Sequence, residues 1–141
     1  MSYAFSLSVI NLYRDLIRQN EFVLSKQLLR SGTSIGANVE EALAGQSRAD
    51  FLSKMSIASK EARESHYWLR LLRDSKTLPP AKVEPLLAES QSLINLLTSI
   101  VKTTATKRQL WILDFRFWIK TEKTIMDNNK AIMNFGFWIK R

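Results

Sequence analysis

Cysteine is absent from the 141 residues of this chain, and histidine occurs once. Without cysteine there is no disulfide and no thiolate metal site, so nothing indicates an oxidising compartment. His66 has no acid and nucleophile beside it of the kind that a hydrolase triad needs. Position 63 is arginine, so the Glu-x-x-His pair of a di-iron bundle is missing as well. We therefore expect a protein that is not an enzyme and has no cofactor, with His66 in a packing or hydrogen-bonding role.

Long apolar runs and phosphate-binding glycine loops are missing too. No window approaches the roughly 20 uninterrupted apolar residues of a membrane span, and no Gly-rich phosphate loop occurs. The first residues, MSYAFSLSVINLYRDL, lack the basic leader, apolar run and small-residue cleavage site of a signal peptide. The expected location is the cytoplasm, without integral membrane association.

Apolar residues at helical spacing dominate the first three quarters of the chain. Between Phe51 and Leu72, apolar or small residues recur at steps of four and three, which places them on one side of a long helix. Comparable patterns predict three further helices. The predicted spans are about Tyr3 to Arg18, Glu21 to Ala44, Arg48 to Lys76, and Ala81 or Pro85 onward.

Short connections separate these predicted helices. Gly45 is expected to end the second helix, and Ser47 with Asp50 forms an S-x-x-D start for the third. Leu78-Pro79-Pro80 breaks the third helix, because proline cannot continue it. The sequence thus predicts an all-α fold, an antiparallel up-down-up-down four-helix bundle over residues 1–106. Residues 107–141 form a C-terminal extension.

Small residues in the middle of the second predicted helix are unusual. Gly32 and Gly36 cost a helix on the order of 1 kcal/mol each relative to alanine. A close approach to a neighbouring helix would offset that cost, and we expect the tightest crossing there; the alternative is a weak spot or kink. Asn38 lies beside this patch, where one polar group in an apolar seam can fix the register.

The run from Ser34 to Leu72, SIGANVEEALAGQSRADFLSKMSIASKEARESHYWLRLL, preceded by LSKQLLRSGT, closely resembles a known family. This is the four-helix-bundle family encoded in intervening sequences of bacterial 23S ribosomal RNA genes, with the accessory variability determinant proteins of diversity-generating retroelements as relatives. The resemblance rests on Ser34-Ile35, Asn38 and Glu41, followed by a phenylalanine-led third helix. Ala42-Leu43 departs from the glycine that often follows the glutamate.

The resemblance implies an antiparallel bundle that assembles into a ring-shaped homopentamer. It also implies, from the retroelement relatives, a basic surface that binds nucleic acid and a reverse transcriptase. For the intervening-sequence branch it implies no settled biochemical role, so it informs fold and assembly more than mechanism.

Positive charge is the candidate functional feature. The net charge is +8, but residues 1–106 hold only 13 Lys and Arg against 10 Asp and Glu, so most of the excess lies in the extension. Repeated around a ring, even a small excess would form a continuous positive belt. We hypothesise that RNA or DNA binds this belt through its backbone; the alternatives are a solvated helix surface and a structural or protein-interaction ring. The candidate residues are Lys26, Arg30, Arg48, Lys54, Lys60, Arg63, Arg70 and Arg73.

The extension contains an internal repeat. Ile112–Lys120 and Ile132–Lys140 match at six of nine positions with an offset of 20 residues. Their alternating aromatic residues favour extended structure, and interleaved cations would suit stacking on single-stranded bases. The alternatives are an extension without a specific role and a segment that lies on a membrane surface.

Overall fold

Residues 1–106 fold as four consecutive α-helices: α1 (Ser2–Arg18), α2 (Leu24–Leu43), α3 (Arg48–Asp74) and α4 (Pro80–Thr106). The structure is a computed structural model that describes residues 1–106 and 120–121. Each helix packs against the next along the chain, and α1 also packs against α4, most extensively at the α2–α3 and α3–α4 seams. The predicted all-α, up-down-up-down four-helix bundle is confirmed. The predicted repeat in the extension lies outside the described residues, apart from Lys120.

The apolar stripe of α3 lies at the centre of the bundle. All seven positions of the predicted stripe are buried, from Phe51 to Leu72. They meet side chains such as Val9, Ile35 and Leu97, which are at most 1% exposed. Burial of such side chains, at roughly 1.5 to 3 kcal/mol each, is what offsets the entropy cost of ordering four helices. None of the helices in residues 1–106 is long and apolar enough to cross a bilayer.

The start of α2 differs from the predicted one. The helix begins at Leu24 rather than Glu21, because the Glu21 carboxylate lies outside the helix and accepts backbone N–H bonds from its first turn. The distances to the nitrogens of Leu24 and Ser25 are 3.0 and 2.7 Å. Partial burial acts to raise the pKa of Glu21, but these hydrogen bonds outweigh it and the pKa is lowered. Glu21 therefore caps α2 from outside.

Two helices end on residues in the left-handed backbone region. Asn20 has φ 60° after α1, and Lys76 has φ 59° after α3. At the second of these ends, the N–H of Thr77 bonds to Leu72 O and the N–H of Lys76 to Arg73 O, which is the Schellman pattern. α3 therefore ends at Asp74, slightly before the predicted Lys76.

The other connections follow local sequence signals. Ser47 Oγ accepts the N–H of Asp50 at 3.1 Å and starts α3 as predicted. α2 ends at Leu43, two residues before Gly45. A Cβ at Gly45 would lie 2.9 Å from Ala42 O, so glycine is needed there for space rather than for a positive φ. α4 begins at Pro80, where a missing N–H costs nothing, and Pro85 lies inside it.

The small residues of α2 lie against α1. A Cβ built on Gly32 would come within 2.8 Å of both methyl carbons of Val9, whereas one on Gly36 would come within 3.3 Å of Ser6 Oγ. Ser6 Oγ also donates to Gly32 O at 3.3 Å. The two helices thus approach closely at this crossing.

Polar contacts near the patch run along and between helices. The Asn38 side-chain amide donates to Ser34 O at 2.8 Å within α2 itself. Between α2 and α3, the Ser65 hydroxyl donates to Ser31 Oγ at 2.9 Å, and both side chains are fully buried. A buried hydrogen bond of this kind fixes the relative position of two helices.

Candidate nucleic-acid interface

Arg30 lies on the outer face of the α2–α3 seam, where two glutamates of α3 meet it. Its guanidinium is 3.4 Å from Glu61 Oε1 and also bonds to Glu64. Trp68 Nε1 donates to the same Glu64 carboxylate at 3.1 Å. The hydrogen bond with Glu64 raises the pKa of Arg30, and the same bond lowers the pKa of Glu64. The charge of Arg30 is therefore largely compensated within the subunit.

Two further candidate cations are also paired with carboxylates. Lys54 Nζ lies 2.5 Å from Glu41 Oε2, across the α2–α3 seam. Arg73 Nε lies 2.8 Å from Asp74, and its Nη1 lies 3.5 Å from Glu84 of α4. Such exposed pairs contribute little to stability, but they reduce the positive potential that a phosphate would meet.

Arg48 has a structural contact at the end of the bundle. It is half-buried at the first position of α3, and its guanidinium donates to the carbonyl of Thr104 in the last turn of α4. A cation at the carbonyl end of a helix satisfies free acceptors and complements the helix dipole. Arg48 therefore joins the start of α3 to the end of α4.

The remaining candidates are exposed and lack a carboxylate partner among residues 1–106. Arg63 donates to the hydroxyl of Thr98 at 3.0 Å, and its charge is otherwise uncompensated. The structure thus divides the predicted basic face into cations that are paired with carboxylates, namely Arg30, Lys54 and Arg73, and cations that are not. The candidates without an ion pair in residues 1–106 are Lys26, Lys60, Arg63 and Arg70. Of these, Arg70 is near enough to Asp74 to help lower the pKa of that carboxyl, after the larger effect of Arg73.

A polar groove follows the α3–α4 seam beside Arg63. Its volume is about 570 Å³, and Lys102 is the second cation in its lining. The remaining lining side chains are amides, hydroxyls and one isoleucine: Gln91, Asn95, Thr98, Ser99, Thr103 and Ile94. Among the described residues no carboxylate lines the groove, and α4 contains none after Glu89.

The groove was not predicted from the sequence, because the apolar positions of α4 indicate only which of its faces is buried. The available signal was the 17-residue run after Glu89, which has a single charge, at Lys102. A helix face with hydroxyls, amides and one cation can donate hydrogen bonds to an anion without repelling it.

His66 lies farther along the same seam and bonds to α4. Its Nδ1 forms a hydrogen bond with Ser90 Oγ at 2.8 Å, and Ser90 Oγ is also 2.9 Å from Leu87 O. Burial lowers the pKa of His66, with Arg70 and Arg73 acting in the same direction. Ser90 is fully buried, so this pair presents no nucleophile to a substrate. No cluster of three His, Asp or Glu that could hold a metal occurs in the described part of the chain.

Comparison with known proteins shows a family and a similar solved structure. The sequence profile described as "23S rRNA-intervening sequence protein" matches residues 1–99. A crystal structure of a protein of unknown function from Bacteroides thetaiotaomicron, described as from the S23 ribosomal protein family, is similar with a TM-score of 0.70 and 50% sequence identity. The similarity covers 72% of this chain and 95% of that one. No curated protein matches the chain.

Proposed function

Because the chain belongs to the 23S rRNA-intervening sequence protein family, we propose that it is a homo-oligomeric, non-enzymatic protein that binds RNA or DNA in the cytoplasm. The resemblance discussed above leads us to expect five copies in a ring. The observation that supports nucleic-acid binding is the set of exposed cations without carboxylate partners in residues 1–106, with Arg63 and Arg70 on one helix.

Electrostatic attraction determines how such binding would depend on salt and on sequence. Contacts between such side chains and phosphates release counterions, so the affinity depends on salt and not on base sequence. A few uncompensated cations on one subunit give weak binding. Repetition of the same face around a closed ring multiplies the contacts along one nucleic acid and raises the avidity.

A salt titration tests the proposal. We expect the full chain to bind short RNA and DNA oligonucleotides in fluorescence anisotropy. For each tenfold rise in salt concentration, log affinity should fall by about 0.9 per neutralised phosphate on duplex DNA and by about 0.7 on single strands. The double variant Arg63→Glu/Arg70→Glu should bind much more weakly. Arg14→Glu is a suitable reference, because Arg14 is exposed on α1. Absence of binding at low salt, or indifference to the double variant, would remove the proposal.

Light scattering tests the assembly separately. A subunit that remains monomeric at micromolar concentration would contradict the ring and the avidity that depends on it. A mass of five subunits would agree with the family expectation.

A second candidate function is a structural or protein-interaction scaffold, for example a partner of a reverse transcriptase. Two observations favour it: ion pairs compensate Arg30, Lys54 and Arg73, and Tyr3 and Leu7 of α1 are 43% and 44% exposed. Exposed apolar side chains on one helix suit protein contact. An oligomer that binds no oligonucleotide but co-purifies with a reverse transcriptase encoded beside its gene would support this function instead.

A further inference from the structure

The outer face of α3 carries an aromatic side chain between cations. Lys60, Arg63, Tyr67 and Arg70 follow one another at steps of three, four and three residues, which places them on one side of the helix over about 15 Å. We call these four residues the α3 stripe. Glu61 and Glu64 lie between them along the chain, and both carboxylates are paired with Arg30 of α2. Tyr67 is 46% exposed although it is a large aromatic residue.

The environment of Tyr67 limits its ring motion but leaves part of it open. The ring packs edge-on against Trp68, with centroids 5.0 Å apart and planes inclined by 65°. Trp68 is itself fixed by its hydrogen bond to Glu64. The same Glu64 carboxylate is neutralised by Arg30, so it does not offset the charge of the α3 stripe.

The polar groove adjoins the α3 stripe at Arg63, which belongs to both. On the α4 side of the groove, Gln91 Nε2 donates to Asn95 Oδ1 at 2.9 Å, so this bond uses neither side-chain N–H of Asn95. Lys102 lies farther along α4 in the same lining. The groove therefore offers charged and neutral donors beside an exposed aromatic ring.

We propose that the α3 stripe and the polar groove form a binding site for single-stranded nucleic acid. Phosphates contact Arg63, Lys102 and the flanking cations of the stripe, and one unpaired base stacks on Tyr67. The inference depends on the proposed nucleic-acid binding and adds the strandedness of the ligand and the residue that selects it.

The reason for a single strand is the position of the aromatic ring. Bases in a duplex are stacked on one another and present only their edges, so they cannot stack on an exposed tyrosine. Single strands have free base faces, and proteins that bind them without sequence preference combine cationic grooves with aromatic side chains. A purely cationic face would favour the higher charge density of a duplex.

Binding to two probes at one salt concentration tests the inference. The probes are a fluorescein-labelled oligo-uridylate of about 20 nucleotides, which exceeds the usual site size per domain, and a duplex of equal length. We expect the full chain to bind the single strand more tightly. Tyr67→Ala should weaken that binding about 5- to 100-fold, and Tyr67→Phe should change it less than about twofold, since the ring face is retained.

Matched variants separate the site from general effects. Tyr3→Ala removes an equally exposed tyrosine from α1 and should leave the affinity unchanged. Arg63→Gln and Lys102→Gln should each lower the slope of log affinity against log salt by about 0.7, whereas Arg14→Gln should not. Circular dichroism confirms that each variant is folded.

The outcomes distinguish this inference from the function on which it rests. If the chain binds neither probe at low salt, the proposed function fails. If it binds the duplex equally well or better, or if Tyr67→Ala binds as tightly as wild type, the single-strand site is overturned while nucleic-acid binding stands. If Arg63→Gln and Lys102→Gln keep the wild-type salt slope, the groove is excluded as the phosphate site.

Discussion

At the scale of single residues, the absence of a side chain at Gly32 allows α1 and α2 to approach closely. The two methyl carbons that a Cβ would meet at 2.8 Å belong to Val9, which is fully buried. A β-branched side chain has little rotameric freedom in a helix, so Val9 cannot turn away. The unfavourable helix propensity of a glycine in the middle of α2 is thus explained by this contact. The contact supports the close-packing interpretation over a mere weak spot.

Gly32→Ala should therefore destabilise the bundle despite the higher helix propensity of alanine. We expect a loss of about 1 to 3 kcal/mol in the free energy of unfolding, because added atoms in a packed core force displacement. Chemical denaturation followed by circular dichroism measures it. Gly36→Ala is the matched control and should stay within about 1 kcal/mol of wild type, since its nearest contact is a hydroxyl at 3.3 Å.

Val9→Ala tests the same contact from α1. In the double variant Val9→Ala/Gly32→Ala, the methyl groups that clash are gone, so the alanine at 32 should cost less than it does alone. Strict additivity of the two single changes would show that Gly32 matters for another reason.

His66 should give the bundle a pH-dependent stability. Its pKa is lowered from 6.5 by burial, Arg70 and Arg73, so the unfolded chain binds a proton more readily than the folded one. The stabilisation is present above pH 6.5 and is lost as the pH falls through the lower folded pKa. We expect the free energy of unfolding to fall from pH 7 to pH 5, as measured by urea denaturation.

The variant His66→Gln identifies the source of that loss. His66 is the only histidine in the chain, so the variant should lose less stability than wild type over the same pH range. Burial raises the pKa of Glu89, which acts in the opposite direction above about pH 4.5; for this reason the difference between variant and wild type is the decisive quantity. Equal slopes for both proteins would contradict the assignment.

At the scale of elements, the helix ends show which sequence signals are readable. Ser47 with Asp50 predicted the start of α3, and Leu78-Pro79-Pro80 predicted a break between the third and fourth helices, because caps and prolines act within a few residues. α4 begins at Pro80, slightly before the predicted Ala81 or Pro85. Glu21 was predicted as the first residue of the second helix and Lys76 as the last of the third, and the local sequence did not show that both lie outside these helices. Their backbone roles are set by how the chain turns between packed helices: Glu21 caps α2 from outside, and Lys76 has φ 59°.

Lys76→Gly should stabilise the end of α3. A non-glycine residue in the left-handed region costs about 1 kcal/mol or more, and glycine removes that cost at this Schellman position. We expect the free energy of unfolding, measured by chemical denaturation, to rise by roughly 0.5 to 1 kcal/mol. The rise is smaller than the strain removed, because glycine has more conformational freedom in the unfolded chain. Lys76→Ala keeps the strained backbone and removes the same charge, so a comparable gain in that variant would assign the effect to charge instead.

At the scale of the whole molecule, the sequence predicted the four-helix bundle more completely than it predicted which surface cations are paired with carboxylates. The stripe from Phe51 to Leu72 fixed which face of α3 is buried, because apolar periodicity reports burial directly. Which cations are compensated depends on the rotation of neighbouring helices, which no single segment encodes. Arg30 meets Glu61 and Glu64 only because α2 and α3 pack antiparallel with those faces adjacent.

The distribution of charge around the bundle, rather than the total of +8, should therefore control nucleic-acid affinity. Glu84→Gln removes the α4 carboxylate that lies 3.5 Å from Arg73. Arg73 keeps its closer contact with Asp74 at 2.8 Å, and the net charge near Arg70 rises by one unit. We expect tighter binding of a single-stranded oligonucleotide and a salt slope steeper by up to about 0.7. Asp15→Asn adds the same unit of charge on α1, where it releases Lys82, and should change affinity little. Fluorescence anisotropy across a salt series compares the two, and equal gains would show that net charge alone governs binding.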